Sequence, residues 1–341
     1  MTGMGKARGL PPPLAAVTLA IALGWLMVCG LGSSARADAL PTVRVGVLKF
    51  GTVNWELDVM RRNGLDRAHG FALEPLELAG KDGAVVALQG GAVDVILTDW
   101  LWVARRRALG GDFTFVPHSH ATGGLMVRAG SGITSLADLK GRKIGVGGGP
   151  IDKSWLVLRA YARKTAGLDL TEDATPVFAA PPLLAETMRK GGLAAAINFW
   201  PYNARLPPSS FSELVSVETM LPALGIAADT PLLGWVFSEH WAAAHGDLAR
   251  GFLAAAKEAR ERLAGSAAEW QKVAPLTGTD DPAILARLHD AYRRGLAGAE
   301  PTDVAASAQR LLDLLIELGG IDQAPPDGRV PPGTFFAGGA S

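Results

Sequence analysis

Cysteine is all but missing from this chain: of 341 residues one is cysteine, Cys29, and it lies inside an N-terminal apolar run. Everything beyond that run is therefore without a disulfide, a thiolate metal site or a cysteine nucleophile. Charge of either sign is not in excess, with 33 Lys and Arg against 33 Asp and Glu, which argues against a nucleic-acid partner. Only the run 14–31 approaches membrane-spanning length. Catalytic signatures are missing too. There is no G-x-S-x-G elbow, no H-E-x-x-H pair (Glu239-His240 lacks the spacing) and no internal repeat.

What is present begins with an export signal. Lys6 and Arg8 precede the apolar run, and Ser33-Ser34-Ala35-Arg36-Ala37 follows it. A basic start, an apolar middle and the small pair Ala35 and Ala37 describe a signal peptide over 1–37, cleaved after Ala37. The competing reading is an uncleaved membrane anchor. Lipidation is disfavoured because bulky Val28 precedes Cys29. Cleavage leaves roughly 300 residues, a length suited to two domains.

Residues 42–49 are rich in β-branched side chains and read as a first strand. Asn54 is a good N-cap for a helix over 55–63, with Gly64 as its stop. Strand 71–78, helix 84–88, strand 93–97, helix 101–109 and strand 113–117 continue the alternation. Such β-α-β order with short loops predicts an α/β fold, with a mostly parallel sheet covered by helices on both faces. A second, smaller α/β pattern starts near Leu125, with strands at 143–146, 176–179 and 193–199 and helices at 136–139, 152–166 and 182–190. After a last strand, 232–238, the chain turns helical over 247–263, 267–273, 282–296 and 302–318. Leu248, Phe252, Ala256, Ala259 and Leu263 share one helix face. The tail beyond Gly319, rich in proline and glycine, is expected to be irregular and peripheral.

The stretch 142–155 nearly spells a phosphate loop. Gly147, four residues, then Asp152-Lys153-Ser154 differs from G-x-x-x-x-G-K-[ST] only in carrying Asp where the second Gly belongs. That Asp puts a carboxylate where phosphate would lie, and Pro150 removes an N–H from the cradle. Two readings survive. Gly148, Gly149 and the following helix N-terminus face a ligand, or the turn serves strand–helix packing with Asp152 as a favourable first-turn acid.

Ligands of α/β sheets sit outside the carboxyl ends of the strands. That rule gathers the turns 50–55, 98–100, 117–119, 147–155 and 198–200. Trp55, Trp100 and Trp200 fall there, as stacking walls or as ordinary core. Asp82, Asp99 and Asp152 at such turns favour an amine or hydroxyl-rich ligand if they face it, and otherwise cap helices. Lys49, Lys81 and Lys153 neutralise an anion or are solvated. His118 and His120 share a face of an extended segment, but no third ligand accompanies them and no metal or other cofactor is expected.

These features resemble the periplasmic substrate-binding proteins of ABC importers, in the nitrate/sulfonate/taurine and thiamine-pyrimidine (SsuA/THI5-like, NMT1-like) branch. The phrases that carry the likeness are 87–94 (ALQGGAVD), 133–141 (ITSLADLKG) running into 143–146 (KIGV), and 192–197 (GLAAAI). The resemblance implies a two-lobed type II periplasmic-binding fold, each lobe a mixed, mainly parallel sheet flanked by helices, with the C-terminal helices on lobe one. Lobe one would span 40–126 plus 232–320 and lobe two 127–231, followed by an irregular tail, 321–341. It implies no reaction, a periplasmic location, a monomer, and as partners a small-molecule ligand with an inner-membrane permease and its ATPase. Ligand contacts would come from Thr52, Asn54, Trp55, Asp82, Gly83, Thr98, Asp99, Trp100, His118, Gly148, Gly149, Asp152, Asn198 and Trp200. The ligand would be sulfonate-like or pyrimidine- or amine-like. Alternatives are an exported enzyme on the same scaffold and a ligand-sensing accessory protein. Pyrimidine synthases of the same branch carry a cysteine-rich iron motif, which a chain with Cys29 alone lacks.

N-terminal sequencing of the exported protein tests the cleavage site. It is expected to start at Asp38; an intact Met1 would establish the anchor instead.

Overall fold

Val43, Val45 and Val47 are buried in β1 (Thr42–Leu48), as a β-branched strand with covered faces requires. The structure is a computed structural model that describes residues 1–3, 40–150, 152–228, 230–296, 304–317 and 324–339. The signal-peptide reading lies outside the described residues.

β1 pairs in parallel with β2 (Ala72–Leu78) and β3 (Val95–Thr98). β4 (Phe113–Ser119) does not join β3 directly. β10 (Leu233–Ser238) lies between them, antiparallel to both, and the order is β2-β1-β3-β10-β4. The second sheet repeats the device. β6 (Lys143–Gly147) pairs in parallel with β7 (Thr175–Ala179) and β8 (Ala195–Phe199), and β5 (Gly123–Arg128) runs antiparallel between β8 and β9 (Phe211–Ser216). The sheets are thus mixed, because each receives the strand that crosses from the other lobe.

β5 and β9 carry little strand signature. Gly123 and Gly124 open β5 because nothing larger fits: a Cβ on Gly123 would lie 2.2 Å from the Asn198 carbonyl oxygen, and its φ is +115°.

Helices cover both sheets. Those of lobe one are α1 (Val53–Arg62), α2 (Leu65–Ala68), α3 (Lys81–Gln89) and α4 (Trp100–Ala108). Lobe two carries α5 (Lys153–Ala166), α6 (Pro181–Arg189), α7 (Trp200–Asn203) and α8 (Val217–Ala223). After β10 come α9 (Glu239–Ala244), α10 (Gly246–Gly265), α11 (Ala267–Thr277), α12 (Pro282–Arg294) and α13 (Val304–Glu317). The expected face of α10 is buried at Phe252, Ala256, Ala259 and Leu263 and packs on α1. α13 instead buries Leu311, Leu312 and Leu315 and reaches α5. One apolar cluster accordingly runs from Ile96, Trp100 and Phe115 in lobe one to Ile144, Trp155 and Ile197 in lobe two.

Two local expectations change. Asn54 is not an N-cap: α1 begins at Val53, and the Asn54 amide folds back to donate to the Leu48 carbonyl at 2.9 Å. The tail is irregular but not peripheral. Phe115 N–H donates to Thr334 O at 2.8 Å, and Phe336 N–H donates to Phe115 O at 2.9 Å. Arg107 Nε holds Pro332 O at 2.8 Å. β4 is an edge strand, and this bridge satisfies the backbone of Phe115 in it. Phe335 lies 5.8 Å from Phe115 and 6.4 Å from Trp100, ring centroid to ring centroid.

Phe335→Ala is expected to lower stability by about 2–3 kcal/mol, near the lower limit for a large apolar truncation because the side chain is partly covered. Urea unfolding should show a lower midpoint at unchanged slope. An unchanged midpoint would mean that the tail does not seat on β4.

Candidate ligand cleft between the lobes

The turns after β3 and β6 bring a short acidic and basic constellation together. Asp99 precedes α4 and caps it, its Oδ1 accepting from Trp102 N–H at 2.9 Å. Its Oδ2 takes two ammonium groups: Lys81, the first residue of α3, and Lys153, the first residue of α5, at 2.8 Å for the latter. Lys81 and Asp99 lie in one lobe and Lys153 in the other, so this carboxylate ties the two together. The side chain of Asp99 is 4% exposed, that of Lys153 16% and that of Lys81 47%.

Burial opposes every charge in the cluster, and the outcomes differ. At Asp99, Lys153 and Lys81 outweigh burial and hold the carboxyl far below its usual range. Lys81 also ends above its usual value, because Asp99 outweighs burial there. Burial wins at Lys153, which is pushed down despite Asp99, and at Asp152, which is pushed up despite Lys153.

Asp152 is the N-cap of α5, its Oδ1 accepting from Ser154 N–H at 2.9 Å and Trp155 N–H at 3.3 Å. Its other oxygen lies against the glycine turn. A Cβ on Gly148, where φ is +87°, would stand 2.8 Å from Asp152 Oδ2. Asn198, at the end of β8, donates to Pro181 O at 3.0 Å and accepts from Phe199 N–H at 2.9 Å, so its amide braces the neighbouring turn. Thr98 Oγ1 and Trp100 Nε1, on either side of Asp99 in the chain, are buried and bond to no described residue.

The structure divides the residues singled out in the sequence. Thr98, Asp99, Gly148, Gly149 and Asp152 belong to the turns around the ionic cluster, with Trp100 fully buried behind it. Thr52, Asn54 and Trp55 line a separate pocket, where Trp55 meets Trp200 of the other lobe edge-on at 5.9 Å. Asp82 and Gly83 are exposed on α3. His118 is turned into lobe one, with Nε2 3.2 Å from Glu56 Oε2 and Trp235 against its ring at 5.0 Å. Tyr292 Oη donates to the same Glu56 at 2.8 Å. Among the described residues no group of three or more His, Cys, Asp or Glu is arranged to hold a metal ion. Lys81 and Lys153 are the residues that sequence reasoning undervalued. Their one signal was position, each at the first turn of a helix that follows a predicted cleft strand.

Two α/β lobes, joined by crossover strands and meeting at the carboxyl ends of their sheets, define the type II periplasmic-binding fold. The chain belongs to the NMT1/THI5 like family, whose model matches residues 61–266. The alkanesulfonate-binding protein SsuA from Xanthomonas axonopodis pv. citri, solved bound to MOPS, superposes with a TM-score of 0.66 at 19% identity, over 88% of this chain and 99% of its own. The periplasmic aliphatic sulphonate binding protein SsuA from Escherichia coli gives 0.66 at 22% identity, over 85% and 97%. The desulfurization enzyme DSZB shares the fold at 0.58 and 16% identity, over 86% and 97%. No curated protein sequence matches the chain. Among the described residues no helix is long and apolar enough to cross a membrane.

Asp99→Asn keeps a capping side chain and removes the charge. It should cost about 3 kcal/mol at neutral pH, because two partly buried lysines lose their shared counter-charge. Since the folded carboxyl titrates far below the unfolded one, its contribution is complete above about pH 5 and fades as pH falls below about 4. The gap between parent and variant in urea unfolding should narrow over that range. A gap that stays constant with pH would show that the ionic contacts do not form.

Proposed function

We propose that this protein is the periplasmic solute-binding component of an ABC-type importer, which captures a small organic ligand between its lobes and delivers it to an inner-membrane permease and its ATPase. The observation that carries this reading is the hold of Lys153, from lobe two, on Asp99, from lobe one, at the carboxyl ends of both sheets. A ligand that touches both sides there binds the closed arrangement better than the open one, which is the condition for hinge closure. The family membership, the binding proteins among the structural neighbours and the signal-like N-terminus support the transport role. The protein acts as a monomer and performs no reaction.

The charge inventory narrows the ligand. Lys81 and Lys153 already share Asp99, and Asp152 occupies the positive end of α5. A bare anion meets lysines that already hold Asp99 and a helix terminus already capped by Asp152. A pyrimidine- or amine-like ligand, bearing both donors and acceptors, finds partners of both signs.

A thermal-shift screen of amines, pyrimidines and alkanesulfonates tests the assignment. A saturable rise is expected for the amine or pyrimidine set, equivalent to about 2.7 kcal/mol at a hundredfold excess over Kd. Lys153→Met should weaken that ligand at least tenfold. Turnover of a compound in place of a saturable shift would overturn the transport reading in favour of an enzyme, the class to which DSZB belongs.

A further inference from the structure

We propose a second binding site, separate from the ionic cluster, between α1, α7 and α11, which takes an aromatic carboxylate. A cavity of about 520 Å³ opens there, within the size range of small-molecule sites. Lys49, Arg61 and Arg205 all face it, and among the described residues none of the three is paired with a carboxylate.

Arg205 is the anchor. It comes from the loop after α7, and its guanidinium donates to two backbone carbonyls, Pro201 O within its own lobe and Thr277 O across the lobe boundary. It also lies over the Tyr202 ring at 5.6 Å. Burial, and to a lesser degree Arg189, pushes its pKa down, and the group that opposes them is the Tyr202 phenol rather than a carboxylate. Carbonyl dipoles alone leave a half-buried guanidinium short of a counter-ion, and a planar carboxylate matches its fork of donors.

Two acids also line the cavity, and neither cancels the charge. Asp58 is held by Arg62 at 2.5 Å, and Glu77 is exposed to water. The lining therefore carries a net positive charge.

The body of the ligand is read from the rim. Phe50 is 75% exposed and Leu276 50% exposed, both at the cavity, with Trp55 as the wall behind. Large apolar side chains bare to solvent beside unpaired cations suit a flat ring that carries one negative group. Because Arg205 and Tyr202 come from lobe two while Phe50 and Arg61 come from lobe one, an occupant touches both. The site requires no ligand at the ionic cluster, so its failure leaves the transport reading standing.

The test is titration of the mature protein with benzoate, followed by tryptophan fluorescence because Trp55 forms the wall. Acetate, which lacks the ring, and benzyl alcohol, which lacks the charge, are run beside it. Benzoate should saturate, with acetate and benzyl alcohol at least tenfold weaker. Arg61→Gln should weaken benzoate about tenfold with unchanged far-UV circular dichroism. Arg205→Gln should weaken it further, but it also removes two carbonyl contacts, so Arg61→Gln is the deciding variant. Lys190→Gln, a charge removed from the outer face of lobe two, should change nothing. The proposal is overturned if benzoate does not saturate, if acetate binds as well, or if Lys153→Met abolishes binding while Arg61→Gln does not.

Discussion

The molecule turns on one carboxylate. Asp99 caps the start of a helix, anchors a lysine of its own lobe and receives a lysine from the opposite lobe, all through two oxygens. Each role alone is ordinary. Together they make the relative position of two sheets depend on a side chain that water scarcely reaches, where charge–charge attraction is stronger than at a surface. The cluster brings together two lysines and two aspartates, with Asp152 beside the shared carboxylate as the cap of α5.

The lobes are joined unequally along their boundary. On one side the apolar core passes without a break through Trp100, Trp155 and the buried face of α13. On the other, contacts are polar or aromatic and local: the ionic cluster, Trp55 against Trp200, and Arg205 on Thr277. Separating the first side would expose a large apolar area, while separating the second exchanges hydrogen bonds for water. The apolar side therefore resists separation more strongly than the polar one.

Much of the fold was legible. Strands with strong β-branched patterns and helices with a clean apolar stripe lie within a few residues of where the sequence puts them, and α5 begins one residue after its expected Asp152 cap. The losses have physical causes. β5 starts with two glycines at a close backbone approach, and β9 is half exposed, so neither shows a strand pattern. Asn54 looks like a cap because local sequence does not reveal that its amide folds back onto the Leu48 carbonyl. At the cleft, Asp99 and Asp152 were visible from their turns, whereas Lys81 and Lys153 were not separable from solvated lysines. Their partner is distant in the chain, and spacing is silent about pairs formed only by tertiary folding. His118 failed differently: its position at the end of β4 was read correctly, but not the carboxylate of Glu56 that draws it inward.

The pairing of Phe115 with residues 334–336 has a consequence for how the molecule is made. A sheet begun at Thr42 is met at its far edge by residues 334–336, after the whole of the second lobe has intervened. Contacts so distant in the chain form late, since the loop between them must first be ordered. Until then β4 presents unpaired backbone that invites a neighbouring chain. The sheet of lobe two is built from one continuous segment, β5 to β9, and pairs its strands without waiting for the tail, although α5 still awaits α13. During folding it is the sheet of lobe one that stays open to misassembly for longer.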